Sequence, residues 1–260
     1  MKKVNIVAMF MSILMVFTSI FSVGAVTNNN VKKEYTVKEK GVIYTITVNS
    51  KANIKDVVVK TNKTKDYERL LIDLKNNKID KINYKYNGVK QYSTKQTYNL
   101  NDIEKSQSIN QFNKKSKIKY NSITKTKWTF LQEYWYAYGS QGKKTYLKIG
   151  CKAKYEIRTD NLPSKKESNC TKYTNSIKKC NSSYNKAKAT VFSSKLFVAI
   201  SALVVANIAF PPSVIVTIVC AVLGAAGFVA TTIYHLIDSY DYYSDAKDIY
   251  TIIRTYGKKL

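Results

Sequence analysis

Histidine occurs once in this chain, at position 235, and none of the motifs that build common hydrolytic or phosphate-handling sites accompanies it. G-x-S-x-G, H-E-x-x-H and G-x-x-x-x-G-K-[ST] are all missing, and "GSQGKKT" at Gly139 has the wrong spacing for a phosphate loop. The four cysteines form no C-x-x-C and no H-x-x-x-H exists, so neither a metal site nor any cofactor is expected. Acids are scarce as well, 17 against 43 Lys and Arg. A carboxylate pair for glycoside cleavage would have to be assembled by folding from residues such as Asp73, Glu133 or Glu156. The expectation is a protein that is not an enzyme.

Proline is equally rare, and its three positions act as boundaries. Pro163 lies in the polar stretch "TDNLPSKKESN", while Pro211 and Pro212 interrupt an apolar run. At the amino end, Met1, Lys2 and Lys3, the apolar run Val7 to Phe17 and then "SIFSVGAV" make the n-region, h-region and cleavage site of a signal peptide, residues 1–25, so a secreted chain is expected.

The positive charge is concentrated. Residues 26–195 carry 37 basic and 13 acidic side chains, and the Lys, Asn, Ile and Tyr enrichment alongside is also what AT-rich codons impose. Such a field draws polyanions. For an exported protein these are an anionic lipid bilayer or a cell-wall polymer; zinc-finger, RRM and helix-turn-helix patterns are missing, so no nucleic acid partner is expected.

An α+β chain is expected: a basic antiparallel β-rich domain over 26–162, an amphipathic helix over 163–190, an apolar helical hairpin over 191–234 and a short amphipathic tail helix over 235–260. "VIYTITV" sets Val42, Tyr44, Ile46 and Val48 on one strand face, "KINYKYNGVKQYS" places Asn87-Gly88 at a hairpin turn, and "WTFLQEYWYAYGSQGKKTYLKIGCKAKYEI" reads as two longer strands around 140–143. The aromatics Trp128, Tyr134, Trp135, Tyr136 and Tyr138 fill a core face or dock at a lipid or sugar surface.

After Pro163 the period becomes helical. Cys170, Tyr173, Ile177, Cys180, Tyr184, Ala187 and Val191 recur at three and four. Cys170 and Cys180 are about 15 Å apart along such a helix and cannot pair. In an oxidising compartment Cys151, at a strand end, is the partner for one of them. Cys220 reads as a small buried hydrophobe.

From Leu196 to Tyr234 no residue carries a formal charge. As one helix these residues would extend about 58 Å, twice the hydrocarbon thickness, and Pro211-Pro212 is where the chain turns back. The first arm, about 22 Å from Leu196 to Phe210, needs Val191 to Lys195 to span; the second, Ser213 to Tyr234, is long enough alone. Small residues line one stripe on each arm, Ala199, Ala202, Ala206 and Ala209 on the first, and Ser213, Thr217, Cys220, Gly224, Gly227 and Thr231 on the second. The same pattern also fits the buried central pair of a soluble helical domain, or a constitutive membrane hairpin. In the tail, Leu236, Tyr240, Tyr243, Ala246, Tyr250 and Ile253 share one face, and Asp238, Asp241, Asp245 and Asp248 the opposite one.

An exported, basic, Lys/Tyr-rich β region followed by an apolar hairpin and a short amphipathic tail resembles large secreted bacteriocins of the geobacillin type from Gram-positive bacteria. The hidden apolar hairpin is similar in architecture to that of pore-forming colicin domains. The resemblance implies a secreted antibacterial protein that binds anionic envelopes through its basic domain, associates with target membranes, and permeabilises them with the hairpin, with a homo-oligomer in the bilayer as an option. The alternative is an envelope-binding or adhesion module tethered by the hairpin to the membrane of the producing cell.

Overall fold

The computed structural model describes residues 31–73, 75–100, 118–128, 130–224 and 228–260. The signal segment 1–25 and Gly227 lie outside the described residues. The class is α+β, with an antiparallel six-stranded sheet followed by four helices. The described residues form two compact units, one from those within 31–75 and 81–95, the other from those within 76–80 and 96–260.

The first sheet is a meander in chain order: β1 Val31–Glu39, β2 Val42–Lys51, β3 Ile54–Thr61, β4 Tyr67–Asp73, β5 Lys78–Tyr86 and β6 Gln91–Asn99. Alternation sets the faces, and the register makes them continuous. Val48 lies opposite Val57 and Val57 opposite Leu70, while Ile46 faces Val59. These residues, with Ile72 and Ile79, are at most 2% exposed. On β3 and β4 the alternate positions carry Asp56 and Arg69, joined by two parallel hydrogen bonds of 2.8 and 2.9 Å, and Tyr67, stacked on Tyr84 at 4.4 Å. The β1–β2 turn uses left-handed backbone at Lys40 and Gly41. The β5–β6 turn falls where Asn87-Gly88 predicts it, as a four-residue loop, 87–90.

The second unit carries its own sheet. β9 Trp135–Gln141 and β10 Lys144–Gly150 form a two-residue hairpin at Gly142-Lys143, flanked by β11 Lys154–Arg158, the short strands β7 Lys119–Tyr120 and β8 Thr124–Lys125, and the terminal β12 Lys258–Lys259. Three strands thus stand where two were expected, because the chain turns again after Gly150. That glycine lies against the Trp135 indole so closely that a Cβ would overlap the ring.

Helix α1, Ser164–Ala189, buries the predicted stripe Cys170, Tyr173, Ile177, Cys180, Tyr184 and Ala187, and Val191 falls just beyond its end. Helix α2, Ser194–Ala206, is capped by Ser193, whose hydroxyl accepts from the Leu196 amide at 3.3 Å. Helix α3, Pro212–Leu223, has proline at its first position, where a missing N–H costs nothing. Helix α4 runs Phe228–Ile253, and its pairing with α1 is the most extensive helix–helix contact.

The hairpin expectation needs correction. The second arm ends at Leu223, where Gly224 adopts a left-handed cap with φ of 64°. Residues 228–234 belong instead to α4, so the tail helix begins seven residues earlier than expected and is 26 residues long. At 13 and 12 residues, α2 and α3 measure about 20 and 18 Å, short of a bilayer core of about 30 Å. No described helix is long and apolar enough to cross a membrane.

Candidate functional site

Apart from exposed Ser194 and Lys195 at the start of α2, the apolar helices α2 and α3 are buried over most of their surface. Ala199, Ala202 and Ala206 are buried together with Phe197, Ile200, Leu203, Val204 and Val205. Their spacing therefore marks no distinct contact stripe, since small and large residues are enclosed alike. Leu196 and Pro212 are half-buried, Pro211 caps α3, and Ala209 is exposed in the linking turn. Thr217 donates its hydroxyl to the Ser213 carbonyl at 2.9 Å, satisfying itself within the helix. Gly224 is exposed, and Tyr234 is half-buried on α4.

The turn between the helices holds an awkward group. Asn207 is fully buried; its amide donates to the Leu203 carbonyl at 2.7 Å, but Oδ1 has no hydrogen-bond partner among the described residues. An orphaned buried acceptor costs about 1–3 kcal/mol. At the other end, Phe192 in the α1–α2 link is wholly exposed, with exposed Lys186, Lys188 and Lys195 close in sequence.

The rest of this unit is held by its own hydrogen bonds, and Tyr184 packs between Trp128 and Phe197 of α2. Trp128 donates to the Ser239 hydroxyl at 3.1 Å, and Ser239 donates to the Cys180 carbonyl at 2.8 Å, tying α1 to α4. Tyr173, Tyr243 and Tyr250 donate to the carbonyls of Trp135, Gln132 and Ala153 at 2.8–3.0 Å. These bonds fasten α1 and α4 to the second sheet without involving α2 or α3. The aromatics singled out earlier serve here: Trp128, Tyr134, Trp135 and Tyr136 are buried, and only Tyr138 is exposed.

All four cysteines are free thiols. The expected pairing of Cys151 with Cys170 or Cys180 is not formed; Cys180 lies 3.5 Å from the Ser239 hydroxyl and Cys151 is half-buried. Burial pushes the Cys170, Cys180 and Cys220 thiols up to about 11. His235 is half-buried on α4. Of the carboxylates weighed for catalysis, Glu133 pairs with Lys125 at 2.9 Å and Glu156 accepts from the Tyr120 hydroxyl. The Lys148 amine, lowered by burial, sits 5.1 Å from the Tyr120 ring. This trio knits β7 to β10 and β11. Asp73 lies on β4. Among the described residues no group of His, Cys, Asp or Glu has metal-binding geometry.

In the first unit, described residues include 15 Lys and Arg against six acids. Several acids are already engaged, Asp56 by Arg69 and Glu68 by Lys81 at 2.8 Å, which leaves the lysine excess to set the field. Sequence reasoning located the β5–β6 turn but passed over its neighbours Tyr86, Val89 and Tyr92, all exposed. The available signal was a valine placed directly after Asn-Gly among lysines. No protein-family model, curated protein or solved structure matches this chain.

Proposed function

We propose that this is a secreted antibacterial protein that gathers on anionic envelopes through its basic surface and perturbs the bilayer with the apolar pair α2–α3. The pair acts by being drawn out of the bundle, not as a ready-made spanning hairpin. The observation that carries this reading is that the hydrogen bonds joining α1, α4 and the second sheet, Trp128–Ser239–Cys180 and the tyrosine–carbonyl set, include no residue of α2 or α3. Helix α2 meets α1 through the apolar ring pair Phe197–Tyr184.

Magnitudes set the condition for release. Eleven large apolar side chains on the pair, Phe197 to Val222, are buried. Exposing them to water would cost roughly 15–30 kcal/mol at 1.5–3 kcal/mol each. Acyl chains are as apolar as the bundle interior, so that cost is offset for the pair itself when the destination is lipid, and the faces of α1 and α4 that it uncovers must meet the same lipid. Water cannot open the bundle; a membrane can. The wholly exposed Phe192 at the start of α2 favours the same direction, and the orphaned Asn207 acceptor weakens the closed bundle. The tethered-module alternative relies on a spanning arm, and neither α2 nor α3 has the length for one.

The test is dye release from phosphatidylglycerol vesicles at micromolar protein, with phosphatidylcholine vesicles as control. Release confined to the anionic vesicles is expected, together with loss of release in Ala206→Asp. Intact anionic vesicles, with Ala206→Asp as toxic to cells as the parent, would remove the proposal.

A further inference from the structure

The β5–β6 turn in the first unit is built to be rigid and to face outward. Asn87 Oδ1 accepts from the Val89 and Lys90 amides at 3.2 and 2.8 Å, the Tyr86 hydroxyl donates to the Gly88 carbonyl at 2.7 Å, and Gly88 takes φ of 92°. The Tyr86 amide is held by Asp66 Oδ1 at 2.8 Å, which joins the turn to the β3–β4 loop. This scaffold presents Val89, 92% exposed, with Tyr86 and Tyr92 beside it.

Four lysines against one carboxylate surround the apex, so its field is positive. Lys63, Lys65, Lys85 and Lys90 are exposed on the two joined loops and the adjoining strand ends, and the Lys65 amine lies 4.8 Å from the Tyr86 ring. Asp66, the one acid among them, is occupied by the Tyr86 amide. An apolar tip, tyrosines whose rings suit the headgroup level and a lysine collar together match an anionic bilayer surface in depth order: acyl boundary, interface, phosphate. A cell-wall polymer would satisfy the lysines but give Val89 nothing to enter.

We propose that the β5–β6 turn is the membrane-docking tip of this protein, Val89 entering the interface of an anionic bilayer while Lys63, Lys65, Lys85 and Lys90 contact lipid phosphates. This rests on the envelope-binding half of the proposed function and names the site that performs it. It is independent of whether α2 and α3 are ever released.

Val89→Trp tests it directly in the full chain, because Trp128 and Trp135 are at most 2% exposed and supply a constant background. Phosphatidylglycerol vesicles should shift the added indole's emission to the blue, while phosphatidylcholine vesicles and soluble polyphosphate should not. Lys85→Ala with Lys90→Ala should lower partition onto anionic vesicles about 25-fold, at about five-fold for each lysine. Lys165→Ala with Lys172→Ala, exposed on α1, should change it less than two-fold. If the protein sediments with anionic vesicles but the Val89→Trp emission stays put, another surface docks and the tip is excluded while envelope binding stands. A shift with polyphosphate equal to that with vesicles would make the partner a polymer and overturn the bilayer assignment. If neither vesicle type binds the protein, both readings fall.

Discussion

Cys180 sits within a shared buried network with Ser239 and Trp128, and its burial decides how it should behave in solution. A thiolate is the reactive form, and Cys170, Cys180 and Cys220 are all shifted upward by desolvation. Ellman's reagent should therefore modify only Cys151 in the native protein within minutes, and four thiols after denaturation; fewer than four would reveal a disulfide. Asp241 offers a second check at this scale. Desolvation, then the like charges of Asp238 and Asp245, raise its carboxyl above the usual range. An acid raised in the fold is destabilising once ionised, so the penalty is absent below its unfolded pKa and grows as pH rises through the folded one. Asp241 is exposed on α4, so solvent screens the effect, and Asp241→Asn should raise Tm at pH 7 only slightly, with the gain fading as pH falls through the carboxylate range. The period-three-and-four stripe had marked the buried face of α1 residue by residue. The Asn207 orphan was not legible, because a lone Asn in an apolar run does not say whether its partners will be near.

Elements break where backbone geometry, not hydropathy, dictates. The run from Leu196 to Tyr234 is so uniformly apolar that no periodic signal places a boundary within it, and the prolines drew attention away from the glycines. Pro211-Pro212 does mark a turn, but Gly224 ends α3 with a left-handed residue that no Cβ-bearing side chain adopts without strain. Gly224→Ala should thus lower stability by about 1–2 kcal/mol, a Tm drop of roughly 3–6 °C. Because that strain sits at the joint between α3 and α4, the variant should also release dye faster than the parent. Asn207→Leu works in reverse: it removes the unpaired acceptor while keeping volume, so Tm should rise and release should slow. Stopped-flow leakage beside calorimetry on the two variants checks the pair; leakage that moves with stability in the same direction for both would contradict release. The strands were easier to anticipate, since alternation in "VIYTITV" and the Asn-Gly turn are local signals. A third strand after Gly150 was missed because "CKAKYEI" follows its turn too closely to read as a separate element.

On the whole-molecule scale, composition spoke clearly about charge and little about arrangement. The lysine excess of residues 26–195 is plain in the sequence, whereas the fastening of α1 and α4 to the second sheet depends on tyrosine hydroxyls meeting carbonyls 38 to 111 positions away. Salt should reveal the electrostatic part: raising ionic strength from 0.05 to 0.5 M shortens the Debye length to a few ångströms and should abolish capture by anionic vesicles without changing the circular dichroism spectrum. The half-thickness of α2 and α3 has a mechanical consequence. Helices about 20 Å long, delivered from one side, lodge in one leaflet and enlarge its area relative to the other. Giant vesicles should then bud or bend before they leak, and a planar bilayer should pass current that drifts upward with dose, with no unit conductance step.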